Sequence, residues 1–130
     1  MEIVGVHHVQ LAMPGGGEAK AVAFYEGLLG ISQVSKPPNL EVRGGCWFES
    51  GPVRIHLGVE HAFSPASKAH PALLVDDLTA IRRHLIRAAV EIVDDQPLPG
   101  FGRFYAYDPF GNRLEFLEPT RWGPGDCSVP

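Results

Sequence analysis

The chain carries one pattern twice, and this repetition restricts its fold more than any other feature. His8-Val9-Gln10-Leu11 opens the first half, a helix-like stretch follows, and Arg54-Ile55-His56-Leu57 closes it. His70-Pro71-Ala72-Leu73 opens the second half, another helix-like stretch follows, and Arg113-Leu114-Glu115-Phe116 closes it. Corresponding residues stand roughly sixty positions apart, and each copy of such a repeat is ordinarily one supersecondary unit that cannot bury its apolar face alone. Each half places one residue of metal-binding type on its opening strand and another on its closing strand.

Hydrophobic periodicity divides each copy into elements. Ile3 to Met13 alternates as a strand until Pro14-Gly15-Gly16-Gly17 breaks it, and Glu18 to Leu29 has helical spacing with Gly30 as its stop. Ile31 to Ser35 is extended up to Pro37-Pro38, and Glu41 to Glu49 with Val53 to Glu60 reads as a hairpin turning at Ser50-Gly51-Pro52. His61 to Ala69 is a polar connector. His70 to Val75 is the next strand, and Asp76-Asp77 caps a helix over Leu78 to Ala89 with negative charge at its positive end. Strands over Glu91 to Asp94, Gly102 to Tyr107 and Asn112 to Leu117 follow, the last two joined at Asp108-Pro109-Phe110-Gly111.

Each half therefore reads β-α-β-β-β. The expected fold is α+β: two tandem βαβββ modules, about residues 3–60 and 69–118, followed by an irregular tail over 119–130, all within a single domain spanning 1–130. Helices cover one sheet face and leave the other free to line a cavity.

Bulk properties remove several function classes. With 130 residues, 45% apolar and 20% charged, the chain is long enough for one ordinary core. A net charge of -4 argues against nucleic acid as a partner, since phosphate binding needs a basic surface. No apolar run is long enough for a membrane span, and the N-terminus lacks the basic and apolar regions of a signal peptide, so a cytoplasmic location is expected. Cys46 and Cys127 make no disulfide framework and read as free thiols.

Strand parity then selects the chemistry. His8 shares a face with Gln10, His56 with Arg54, His70 with Ala72, and Glu115 with Arg113, while the intervening Val, Leu, Ile and Phe residues point to the core. Three imidazoles and a carboxylate suit Zn, Ni, Co, Fe or Mn rather than Ca or Mg. Arg54 and Arg113 are equivalent in the repeat, each two residues before a candidate ligand. They read either as partners of a nearby carboxylate such as Glu49 or as anchors for an anionic substrate group. Arg103, Tyr105 and Tyr107 share a strand face, and Tyr105 is a further substrate-binding candidate. Glu118 falls on the face opposite Glu115 and reads as solvated.

The HHVQLAMP start, the HPALLVDDL middle and the YDPFGNRLEFLEP ending, in this order, resemble the glyoxalase / bleomycin-resistance / extradiol dioxygenase (vicinal oxygen chelate) superfamily over about Ile3 to Pro119. The resemblance implies paired βαβββ modules in an open, cup-shaped mixed sheet with helices outside, one divalent metal per site and a homodimer. Carried over by position, the ligands are His8, His56, His70 and Glu115. The chain departs from the pattern at His56, where glyoxalase I enzymes have Glu and methylmalonyl-CoA epimerases have Gln. The implied activity is metal-dependent lyase or isomerase chemistry on a small oxygenated substrate, with Glu115 as general base and His56 as its partner in proton transfer. Two alternatives stay open: a drug- or small-molecule-binding resistance protein, and an extradiol-type dioxygenase.

Overall fold

In both halves the closing strand lies between the first strand and the third, and this single topological choice places the candidate site. The computed structural model describes residues 1–120. Its chain divides into two compact units, Met1–Pro65 with Pro109–Asn112, and Ala66–Asp108 with the chain from Arg113 onward. The expected tail falls largely, and Cys127 wholly, outside the described residues.

The first unit contains β1 (Val9–Met13), α1 (Glu18–Val22), a π-helical continuation (Ala23–Leu28), β2 (Gln33–Val34), α2 (Pro38–Glu41), β3 (Cys46–Ser50) and β4 (Val53–Val59). Its sheet runs β1-β4-β3-β2, with β1 parallel to β4 and the other pairs antiparallel. The expected helix over Glu18 to Leu29 forms, but its second half widens. Leu29 N–H reaches the Phe24 carbonyl at 2.9 Å, a five-residue step, before Gly30 turns away at φ 74°. Ala21, Phe24 and Tyr25 pack inward with Met13, Phe48, Ile55 and Leu57, and burying each large side chain stabilises the unit by about 1.5–3 kcal/mol.

Two local differences from the sequence reading have clear causes. The segment read as the start of a strand at Glu41 is instead the end of α2, because Pro38 is pre-set for a first helical turn. Gly44 and Gly45 then take φ 73° and 84°, so the strand begins only at Cys46, which is buried. The Glu18 carboxylate accepts the Gly45 N–H at 2.9 Å, tying the start of α1 to the entry of β3.

The second unit contains β5 (Ala72–Leu74), α3 (Leu78–Arg87), β6 (Ile92–Val93), β7 (Phe101–Tyr107) and β8 (Arg113–Pro119). The sheet order β5-β8-β7-β6 repeats that of the first unit, again with the outer pair β5 and β8 parallel. Asp77 caps α3 as expected, its Oδ1 accepting the Ala80 N–H at 3.0 Å. Glu118 corrects the sequence reading: rather than being solvated, it accepts the Leu78 N–H at 2.7 Å and satisfies a second orphan donor of the same helix. The helix stops at Arg87 because Ala89 adopts φ 60°. Leu85, Phe104, Leu114 and Phe116 fill the core of this unit. The chain is thus α+β, with two open four-stranded mixed sheets and few helices.

Candidate metal centre

Strand register makes the repeat a geometric fact. Gln10 lies opposite His56 on β1 and β4, and Ala72 lies opposite Glu115 on β5 and β8. His8 and His70 each stand two residues before these opposed positions, just ahead of their strands rather than within them. The four expected ligands therefore form two equivalent pairs, one in each unit.

In the first unit the His8 and His56 rings stack with centroids 4.3 Å apart. Trp47, opposite His56 in the hairpin, covers the imidazole at 4.0 Å and 4° from parallel. His56 is only 3% exposed, and this burial pushes its imidazole below the ordinary histidine range. A hydrogen bond to Glu49 opposes the shift, and nearby His8 adds to it. The Nε2 of His56 lies 3.2 Å from Glu49 Oε2, so Nε2–H donates to the carboxylate and the Nδ1 lone pair is left for a cation. His8 is exposed, its Nδ1 2.9 Å from the Nδ1 of His7. Arg54 approaches Glu49 at 3.9 Å and donates to the His7 carbonyl at 3.3 Å.

In the second unit the His70 Nδ1 lies 2.7 Å from the Lys68 carbonyl, which can only accept. Nδ1 must carry a hydrogen, so the neutral ring presents its Nε2 lone pair. That lone pair faces Glu115 Oε1 at 2.8 Å, and two acceptors so close require a proton or a metal cation between them. Glu115 is 6% exposed, and its other oxygen accepts from Arg103 Nη1 at 3.3 Å. Arg103 also donates to the Tyr105 hydroxyl at 3.0 Å. Tyr105 meets the His70 ring edge-on at 5.2 Å, and the Arg113 guanidinium lies 4.6 Å above the Tyr105 ring. Among the described residues the buried Arg113 Nε has no hydrogen-bond partner.

Each pair is made of donor types that a divalent first-row metal accepts: two imidazoles in the first unit, and an imidazole with a nearly buried carboxylate in the second. Among the described residues, no three His, Cys, Asp or Glu side chains gather as a metal-holding group; the candidate residues stand as pairs. Glu49 pairs with Arg54 as the sequence allowed, while its hydrogen bond to His56, the Trp47 stack and the Arg103–Glu115 contact escaped assignment from sequence. For Trp47 and Glu49 the two-residue turn at Gly51-Pro52 was the signal, because it sets 49 opposite 54 and 47 opposite 56.

Tandem βαβββ units with paired imidazole and carboxylate groups at equivalent register define a vicinal-oxygen-chelate type of domain. The chain matches the family model of the Glyoxalase/Bleomycin resistance protein/Dioxygenase superfamily over residues 5–116, and it belongs to that superfamily. It is similar to a glyoxalase family protein from Bacillus anthracis at 46% identity and TM-score 0.88, covering 92% of this chain and 98% of that one. It shares its fold with the fosfomycin resistance protein FosX from Listeria monocytogenes (15% identity, 92% and 96% covered, TM-score 0.72). It also shares it with TnmS3, an antibiotic binding protein from Streptomyces sp. CB03234 (20% identity, 92% and 100% covered, TM-score 0.67). No curated protein matches the sequence. No helix among the described residues is long and apolar enough to cross a membrane.

Proposed function

We propose that the chain is a divalent-metal-dependent enzyme of lyase or isomerase type, acting on a small oxygenated, anionic substrate by enolate chemistry. His8, His56, His70 and Glu115 are the ligands in this reading, and the functional form is a homodimer. One observation carries it: in both units the histidine ahead of the first strand meets the polar residue at the same register of the closing strand. A core serving stability alone has no need to repeat that relationship with metal-binding side chains. A metal bound there supplies electrophilic stabilisation of negative charge developing on a substrate oxygen.

The protein's own residues supply the rest. Glu115, a carboxylate that can leave the metal, then removes a proton from the carbon beside the substrate carbonyl, and its burial keeps bulk water from that transfer. His56, held by Glu49, takes the complementary proton-transfer role. Arg113, stacked over Tyr105 with an Nε–H unmatched among the described residues, is an anchor for an anionic group of the substrate, and Arg54 is the equivalent anchor of the first unit.

The test is deuterium wash-in. Metal-loaded protein is incubated in heavy water with hemithioacetals and 2-substituted acyl thioesters, and exchange at the carbon beside the carbonyl is followed by NMR. Exchange that requires the metal and is lost in Glu115→Gln supports the reading. Full metal loading without exchange, but with tight capture of a small molecule, assigns the chain to the sequestering proteins.

A further inference from the structure

We propose that Arg103 is the positioning residue of Glu115, holding Oε2 back so that the carboxylate ligates through Oε1 alone. The inference deepens the metal reading above and rests on it. Four hydrogen bonds hold this guanidinium. Nε and Nη2 donate to the Gln96 carbonyl at 3.1 and 2.7 Å, and Nη2 lies 3.7 Å from Asp95 Oδ2. Nη1 reaches the Tyr105 hydroxyl at 3.0 Å and Glu115 Oε2 at 3.3 Å.

The planar fork is therefore fixed by backbone on one side and can present only one edge to Glu115, on the side away from His70. A bare ion pair has no such directionality. The side chains of Arg103 and Glu115 are 15% and 8% exposed, so solvent does little to compete. The arrangement belongs to one half of the repeat only. Trp47 and Tyr105 lie opposite the two closing-strand ligands, and two residues before Trp47 stands Gly45, where Tyr105 is preceded by Arg103. The clamp thus serves the carboxylate ligand and has no counterpart on His56. It also ties the loop carrying Asp95 and Gln96 to the same carboxylate.

The experiment is a Co(II) titration of the full-length protein, reading affinity by calorimetry and coordination by visible absorption. It compares wild type, Arg103→Gln, Arg103→Lys, Glu115→Gln and His70→Ala, with thermal melting to show that each is folded. Arg103→Gln is expected to bind Co(II) about 10–100-fold more weakly with a changed absorption band, the loss typical of an outer-shell partner. Arg103→Lys, which keeps the charge but not the fork, is expected to recover part of the affinity and not the band. Wild-type affinity and spectrum in Arg103→Gln, or tighter binding from removal of a repelling charge, overturns the positioning role while Glu115→Gln and His70→Ala still lose metal. If those two variants bind Co(II) like wild type, the metal reading itself falls and the positioning role with it.

Discussion

The indole of Trp47 lies flat on the imidazole of His56, with centroids 4.0 Å apart and planes 4° from parallel, while His8 covers the opposite face at 4.3 Å. A candidate ligand is thus held between two rings, with its Nε2 committed to Glu49. Such stacking adds about 0.5–1.5 kcal/mol beyond area burial and restricts ring rotation.

This sandwich makes Trp47 an optical reporter. Binding of Co(II) at His56 is expected to quench its emission in wild type. Trp47→Phe is expected to lose the metal-dependent change while calorimetry still detects binding. Equal quenching in that variant contradicts placement of the metal beside His56.

Glu115→Gln keeps the shape of the side chain and an acceptor for Arg103, so the fold is expected to survive with its circular dichroism unchanged. Metal affinity should fall by more than the ~10–100-fold that loss of an outer-shell partner costs. Turnover should vanish. Wild-type metal affinity in Glu115→Gln removes this residue from the ligand set.

Gly45→Ala tests how tightly β3 enters the sheet. The backbone there has φ 84°, and an added Cβ would lie 2.0 Å from the Leu57 carbonyl oxygen. Left-handed strain costs about 1–3 kcal/mol, and the backbone clash adds to it. Urea denaturation should therefore show a loss of about 3 kcal/mol or more. A change below about 0.5 kcal/mol, the range of ordinary surface substitutions, shows that the strand entry is not fixed as described.

Glu18 links stability to pH. The Gly45 N–H, foremost among several contacts, holds its carboxyl below its ordinary value of 4.5. A carboxyl with a depressed folded value contributes stability above its unfolded pKa and loses it as pH falls through the folded value. Glu18→Gln should therefore be less stable than wild type at pH 7. The gap should narrow as pH drops below 4.5. Thermal melts across that range check it, and a gap independent of pH excludes the linkage.

The repeat was legible because metal-type residues and strand parity recur together, and the register confirms the equivalence of His8 with His70 and of His56 with Glu115. The capping of α3 by Asp77 was equally readable, since a local side-chain bond specifies it. Edges were not. Periodicity extends the first strand to Ile3, but ladder hydrogen bonds to β4 begin only at Val9. Glu118 was misread because parity names a face and not a partner, and here the partner is a helix N-terminus forty residues upstream. Arg103 was placed on the right face, yet its grip on Glu115 depends on side-chain length and on a loop carbonyl, which no pattern encodes.

The most direct measurement is the metal content of untagged protein by mass spectrometry, in wild type and in His8→Ala. Wild type is expected to hold about one divalent first-row metal per site, with a clear loss in the variant. Absence of metal after reconstitution with Ni, Zn, Fe, Co and Mn, or equal occupancy in both proteins, would contradict the metal reading.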